Sequence, residues 1–186
     1  MILSPLLIPI VIGLRLTGEG YVFYLQERVG YRNRLFPIYK FATMLKDSPN
    51  MAGGIITMQR DPRITPMGGF LRKTKINELP QLLNVLRGEM SFVGPRPLLV
   101  EYLPLYSDEQ ARRHEVRPGI TGWSQVNGRN AVDWDTRLAM DVWYVDNRAL
   151  LLDAKILFMT VGAVLNRKGI SQQGHATMER FRGSRR

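Results

Sequence analysis

Asn77-Glu78-Leu79-Pro80 is the tetrapeptide whose residue types come closest to a reaction centre. Pro80 falls in a first helical turn, so the spacing predicts Asn77 as the N-cap and Glu78 as the first helical residue. A structural account of these residues is complete in itself: asparagine caps, glutamate complements the helix dipole and proline starts helices. The chemical account is that a polar pair at a positive helix end, beside arginines, suits a magnesium-pyrophosphate group. Three basic stretches offer such arginines. Arg96 lies in a rigid turn between Pro95 and Pro97; Pro97 biases it toward extended geometry, and its planar fork matches a phosphate. Arg72-Lys73-Thr74-Lys75 precedes the Glu78 helix and concentrates positive potential there. Arg117-Pro118-Gly119-Ile120-Thr121-Gly122, followed by Asn127-Gly128-Arg129-Asn130, offers Arg117, Arg129 and glycine turns able to present backbone N–H groups, and reads equally as an ordinary loop.

Composition removes other chemistries. There is no cysteine, so no thiolate nucleophile, disulfide or cysteine-ligated metal exists, and with only His114 and His175 a multi-histidine centre is excluded. Apolar residues make up 45% and charged residues 23% of the 186, ordinary for a chain that buries a core. The anomaly is charge: 26 Lys and Arg against 16 Asp and Glu give a formal +10, which expects an anionic partner. The basic residues are scattered and no RNA- or DNA-binding motif occurs, so that partner is not expected to be a nucleic acid.

The elements that must position these residues follow from pattern. Met1 to Leu14 is uncharged and almost wholly apolar. As a helix it would reach roughly 20 Å at about 1.5 Å per residue, short of the ~30 Å hydrocarbon core. Pro5 and Pro9 would kink it, a basic leader is missing and Arg15 marks a water boundary, so it reads as re-entrant or interfacial rather than as a signal peptide. Because the chain opens inside the apolar run, the segment is expected to lack its first arm. Gly18 to Met44 reads as β-rich, with a strand at Tyr21-Val22-Phe23-Tyr24, a turn at Gly30-Tyr31-Arg32-Asn33 and a strand over Phe36 to Phe41. A loop covers Asp47 to Pro62. Helices are predicted over Met67 to Lys75, Glu78 to Arg87, Ser107 to Val116, Trp134 to Val145 and Leu150 to Leu165, with a loop from Arg117 to Asn130 and a polar, basic tail from Asn166. Leu79, Leu82, Leu83 and Leu86 give the second of these helices an apolar face for protein or lipid.

Lys40-Phe41, Asp61-Pro62-Arg63-Ile64-Thr65, Leu71-Arg72, Glu78-Leu79-Pro80-Gln81-Leu82, Asn84-Val85-Leu86-Arg87-Gly88-Glu89-Met90-Ser91, Val93-Gly94-Pro95-Arg96-Pro97 and Arg117-Pro118-Gly119-Ile120-Thr121-Gly122 occur in this order. The succession resembles the bacterial sugar transferase family, the monotopic phosphoglycosyl transferases, from about Ser4 to the C-terminus. Glu101-Tyr102-Leu103-Pro104, Gln125-Val126-Asn127-Gly128-Arg129-Asn130 and Gly174-His175-Ala176-Thr177 look most like its small, single-domain branch, which hands short amino-sugar phosphates to a polyprenyl carrier in glycan assembly.

The resemblance implies an α/β fold, mostly helical with a small β element, associated with the membrane through a re-entrant segment over residues 1–16 and through amphipathic helices. Residues 17–186 would form the catalytic domain. The break in the re-entrant helix would fall at Ser4-Pro5. The implied reaction takes a nucleotide-sugar, uridine-linked, and polyprenyl phosphate to polyprenyl-diphosphate-sugar and a nucleoside monophosphate, with Mg2+. Glu78 would bind the metal or assist, Lys40 would support the site, Arg72, Arg96, Arg117 and Arg129 would hold phosphates, and Asp141 would be a further carboxylate. The implied setting is an anionic phospholipid bilayer, at the cytoplasmic face of a bacterial inner membrane. Two positions depart from the family pattern. Ala42 stands where another basic residue is usual after Lys40-Phe41. Asn77 stands where the family's aspartate attacks the donor's β-phosphate to form a phosphosugar-enzyme intermediate. An amide is neither a good nucleophile nor a good magnesium ligand, so a second expectation is a catalytically silent member that binds lipid or nucleotide-sugar as a scaffold.

Overall fold

Alternating exposed and covered residues from Phe23 to Val29 form a half-buried strand, β1 (Phe23–Val29), which pairs antiparallel with β2 (Leu35–Phe41). The computed structural model describes residues 4–17, 19–51, 54, 57, 61–128, 132–165 and 180–183. A 3-10 turn at Tyr31–Asn33 closes the hairpin, with Arg32 and Asn33 in the left-handed region. Phe36 and Ile38 are buried with Met90 on the hairpin's inner face. Directly opposed residues share a face, so Tyr24, Gln26 and Arg28 lie on the same side as Lys40, Ile38 and Phe36.

Helix α1 (Ser4–Leu16) continues through Pro9 and packs Ile10 and Leu14 against Phe41 of β2 and Leu71 of α2 (Pro66–Lys73). Helix α2 starts where proline is tolerated, with Thr65 accepting from the Gly68 N–H at 3.0 Å. The spacing predicts Asn77 as an N-cap, and the structure corrects this. Ile76–Glu78 is a 3-10 turn, and helix α3 (Gln81–Leu86) begins only after Pro80. Pro80 has no N–H for the Ile76 carbonyl, which instead accepts from Leu79 at 3.0 Å, while Lys75 turns the chain with φ +63°.

Strand β3 (Ser91–Val93) pairs in parallel with β4 (Gly119–Thr121), and helix α5 (Trp123–Asn127) follows within the segment predicted to be a loop. A Cβ on Gly119 would stand 2.1 Å from the Gly94 nitrogen and one on Gly94 2.4 Å from the Arg117 carbonyl, so these glycines let two backbones touch. Their N–H groups donate to Thr121 and Pro95 carbonyls. They therefore form no open nest for an anion.

Ser107 caps α4 (Asp108–Ala111) in a reciprocal capping box with Gln110, and a 3-10 turn over Arg112–Glu115 continues it. Helices α6 (Trp134–Asn147) and α7 (Leu150–Leu165) follow, burying Leu138, Tyr144 and Ile156, and Phe181 packs with Leu138 and Tyr102. About half of the described residues are thus helical, with two two-stranded sheets, an α/β arrangement less helical than the resemblance implies.

Candidate active site

Lys40 ends the hairpin's inner face, and its strand is held by a side chain from α3. Asn84, fully buried, donates to the Pro37 carbonyl at 2.8 Å and accepts from the Tyr39 N–H at 3.0 Å. Its amide thereby occupies the edge of β2 much as a third strand would, one residue before Lys40. The 3-10 turn brings Glu78 against Lys40, 3.5 Å from carboxylate to ammonium. The turn after β3 brings Arg96 to the same carboxylate, Nη2 to Oε1 at 2.6 Å and Nη1 to Oε2 at 3.5 Å. Arg72 on α2 donates to the Thr43 hydroxyl at 2.8 Å and to the Thr57 hydroxyl at 3.2 Å.

The electrostatics follow from this crowding. Burial would raise the Glu78 pKa, but Arg96 and Lys40 outweigh it and hold the carboxyl well below the usual carboxylate range. Burial, reinforced by Arg96, Arg28 and Arg72, pushes the Lys40 ammonium down to about 8 despite Glu78. Glu78 raises the Arg96 pKa, whereas burial lowers that of Arg72. Glu78 is an ionised carboxylate among a surplus of cations. Beside it, the Asn77 Oδ1 is buried with no hydrogen-bond partner among the described residues.

Asp141 lies behind this cluster. It is 1% exposed, accepts from Arg113 Nε and Nη2 at 3.1 and 2.7 Å and from the Ser124 hydroxyl at 2.7 Å. Arg113 Nη2 also donates to the Arg96 carbonyl at 2.7 Å. Asp141 therefore acts on Arg96 through Arg113. The Arg117 side chain is exposed, and its carbonyl abuts Gly94. Arg129 and Gly174–Thr177 lie outside the described residues, and Pro5 is exposed in the first turn of α1, which Ser4 begins.

The succession of motifs converging on this cluster has relatives over most of its length. A family model described as bacterial sugar transferase matches residues 1–167. The chain belongs to the bacterial sugar transferase family. It is 53% identical over 170 residues to an uncharacterized sugar transferase, EpsL, of Bacillus subtilis, covering 91% of this chain and 83% of that one. It is 42% identical to an undecaprenyl-phosphate galactose phosphotransferase of Salmonella typhimurium, over 91% of this chain and 38% of the relative. An undecaprenyl-phosphate glucose phosphotransferase of Komagataeibacter xylinus is 40% identical over 86% of this chain and 32% of its own length. The chain thus spans less than half the length of those two curated relatives.

Sequence reasoning about this sugar transferase overlooked three residues that build its site. Asn84 and Arg113 position the strand of Lys40 and the backbone of Arg96. Arg28 is the third, on the hairpin face shared with Lys40; the period-two pattern of Tyr24, Gln26 and Arg28 was the signal that could have found it. Among the described residues no group of three or more His, Asp or Glu side chains is placed to hold a metal ion. The arrangement as it stands can neutralise an anion and orient it against the Asn77-Glu78 turn.

Proposed function

We propose that this sugar transferase moves a sugar-1-phosphate from a nucleotide-sugar, uridine-linked, to polyprenyl phosphate, the first step of a bacterial glycan. The names of the two phosphotransferase relatives supply the acceptor and a hexose-phosphate cargo. The observation that carries the reading is the surplus of positive charge about one carboxylate: Lys40 and Arg96 touch Glu78, with Arg72 near. A diphosphate carries the charge this cluster lacks. In the reaction a polyprenyl-phosphate oxygen becomes bonded to the sugar-bearing phosphorus, the bond to the bridging oxygen breaks, and nucleoside monophosphate leaves. Arg96, Lys40 and Arg72 would neutralise the phosphoryl oxygens as charge shifts to the leaving group.

The oxygens available to Mg2+ are Glu78 Oε2, more weakly engaged than Oε1, and the unpartnered Asn77 Oδ1. The Glu78 carboxylate can take one position on a magnesium that arrives on a diphosphate and keeps most of its water and phosphate ligands, with the Asn77 amide oxygen a weaker neutral donor beside it. Bound there, the ion would neutralise the leaving nucleotide. The proposal also seats the molecule on an anionic bilayer at the cytoplasmic face of the inner membrane. Ile8, Ile12 and Leu16 are exposed at four-residue spacing on α1, and Leu150, Leu151, Phe158 and Val161 are exposed on α7. Among the described residues no helix is long and apolar enough to cross a membrane.

Asn77 favours a second reading, a silent member that binds without turnover. Glu78 is a poor substitute nucleophile, since Arg96 and Lys40 hold its charge and successive side chains of a 3-10 turn point about 120° apart. The deciding experiment incubates membrane-bound protein with polyprenyl phosphate and a panel of uridine-diphosphate sugars and measures released monophosphate. Release by the unmodified protein supports the transferase reading. Release by an Asn77→Asp variant alone supports the silent one, and release by neither, whatever the donor, overturns the transfer reaction.

A further inference from the structure

The hairpin carries a guanidinium that neither the transfer reading nor the motifs use. The last residues of β1 are stitched to the segment just beyond Arg96: Val29 donates to the Leu98 carbonyl at 3.3 Å, and Arg28 forms an isolated bridge with Leu99. The inner face of the hairpin aims Arg28 to the side that carries Lys40. Its guanidinium consequently feels the charges of both Arg96 and Glu78. It differs from its neighbours in what it holds. Arg96 has both terminal nitrogens on Glu78. Arg28 forms no ion pair among the described residues; its Nη2 donates to the neutral Gln26 side chain at 2.6 Å, and its buried Nε has no partner there. Burial and Arg96 push its pKa down to about 10, so it remains charged at neutral pH.

A buried donor without an acceptor is destabilising, and a buried cation without a counter-charge more so. Arg28, Lys40 and Arg96 share the one carboxylate of Glu78. With the Arg96 fork engaged, Arg28 keeps a buried guanidinium nitrogen without a partner among the described residues, able to donate to a second anionic group. We propose that Arg28 binds one phosphate of a diphosphate whose other phosphate lies at Lys40 and Arg96. The inference rests on the reading of a nucleotide-diphosphate donor and assigns that donor's second phosphate contact. The acceptor, polyprenyl phosphate, has a single phosphate, so a ligand with one phosphate and a ligand with two separate the sources.

The test is titration calorimetry on the full chain, without metal, using inorganic pyrophosphate and inorganic phosphate as probes. Arg28→Gln should weaken pyrophosphate at least tenfold and inorganic phosphate less than threefold. Arg28→Lys, which keeps the charge but not the fork, should fall between. Arg34→Gln, an equal change of net charge at an exposed position, should leave both affinities within twofold. Thermal melts followed by circular dichroism establish that the variants fold, and Arg28→Lys carries the test if Arg28→Gln does not. Unchanged pyrophosphate affinity in Arg28→Gln, or equal loss of both anions, overturns the assignment. Transfer by Arg28→Gln at an unchanged donor KM overturns it while sparing the donor reading. Absence of both pyrophosphate binding and monophosphate release in the unmodified protein overturns the donor reading, and the Arg28 assignment with it.

Discussion

Arg113–Asp141 and Arg96–Glu78 are both arginine–carboxylate pairs, and they are joined through the Arg96 carbonyl that Arg113 holds. In the first pair both side chains are 1% exposed, and both Asp141 oxygens are engaged, one by Arg113 and one by Ser124. Burial alone would lower the Arg113 pKa; Asp141 and Tyr106 reverse that, so the guanidinium stays firmly protonated. In the second pair Glu78 is 19% and Arg96 33% exposed, and Lys40 and Arg28 add cations without adding a carboxylate, while Arg72 stands between Glu78 and the Arg63-paired Asp61. A closed pair satisfies itself and holds a backbone in place. An open, over-charged one leaves positive charge that the proposed diphosphate would balance.

The comparison breaks most visibly at its closed end. Asp141→Asn keeps shape but leaves Arg113 buried beside a neutral amide, which should cost about 3–5 kcal/mol in urea unfolding. Glu78→Gln should cost about 1–2 kcal/mol, because its partners keep access to water. Equal losses would mean that the two clusters are alike in kind.

Asn77→Asp sharpens the open end. It should raise monophosphate release by about a hundredfold or more, the scale of a positioned catalytic group. A phosphosugar adduct mapped by mass spectrometry to the introduced aspartate is the expected companion; an adduct on Glu78 of the unmodified protein would refute the lost-nucleophile account.

Arg96→Ala should weaken nucleotide-sugar binding by roughly 1.5–3 kcal/mol, the scale of a hydrogen bond to a charged group. Arg96→Lys should restore only part of it, as calorimetry would read. Identical affinities for the three proteins would reduce Arg96 to a turn residue.

The smallest effect is on pH. Lys40 loses its proton near pH 8 in the folded protein, against 10.5 ordinarily. Anion affinity should therefore decline as pH rises from 7 to 9, and Lys40→Arg should flatten that decline. Stability has the opposite sign: between about 8 and 10.5 the unfolded chain binds more protons at this site, so the contribution of Lys40 rises with pH. Glu78, held ionised far below the usual range, should add no limb to the affinity profile above pH 5.

Much of this was legible in one dimension. The turn between the first two strands, the strand over Phe36 to Phe41 and the span of α7 follow from period and turn chemistry, which act within a few residues, whereas β1 runs over Phe23–Val29 and not over the β-forming run at Tyr21-Val22-Phe23-Tyr24. The resemblance, through the order of its motifs, put Lys40, Arg72, Glu78 and Arg96 among the candidate residues, and not any pattern of their own. What the sequence by itself determined was the set of residues available and the short elements that carry them. Only the tertiary structure decided which of them meet. The β3–β4 pairing joins two three-residue strands from distant segments, too short for any periodicity. Asp141 reads as a site carboxylate until Arg113 and Ser124, from two other elements, enclose it. Arg28 is not singled out in the sequence reading, and only β1 and its bridge to Leu99 bring it near Arg96 and Glu78. Charge acts through space, and its consequences depend on burial and on neighbours that the fold alone brings together.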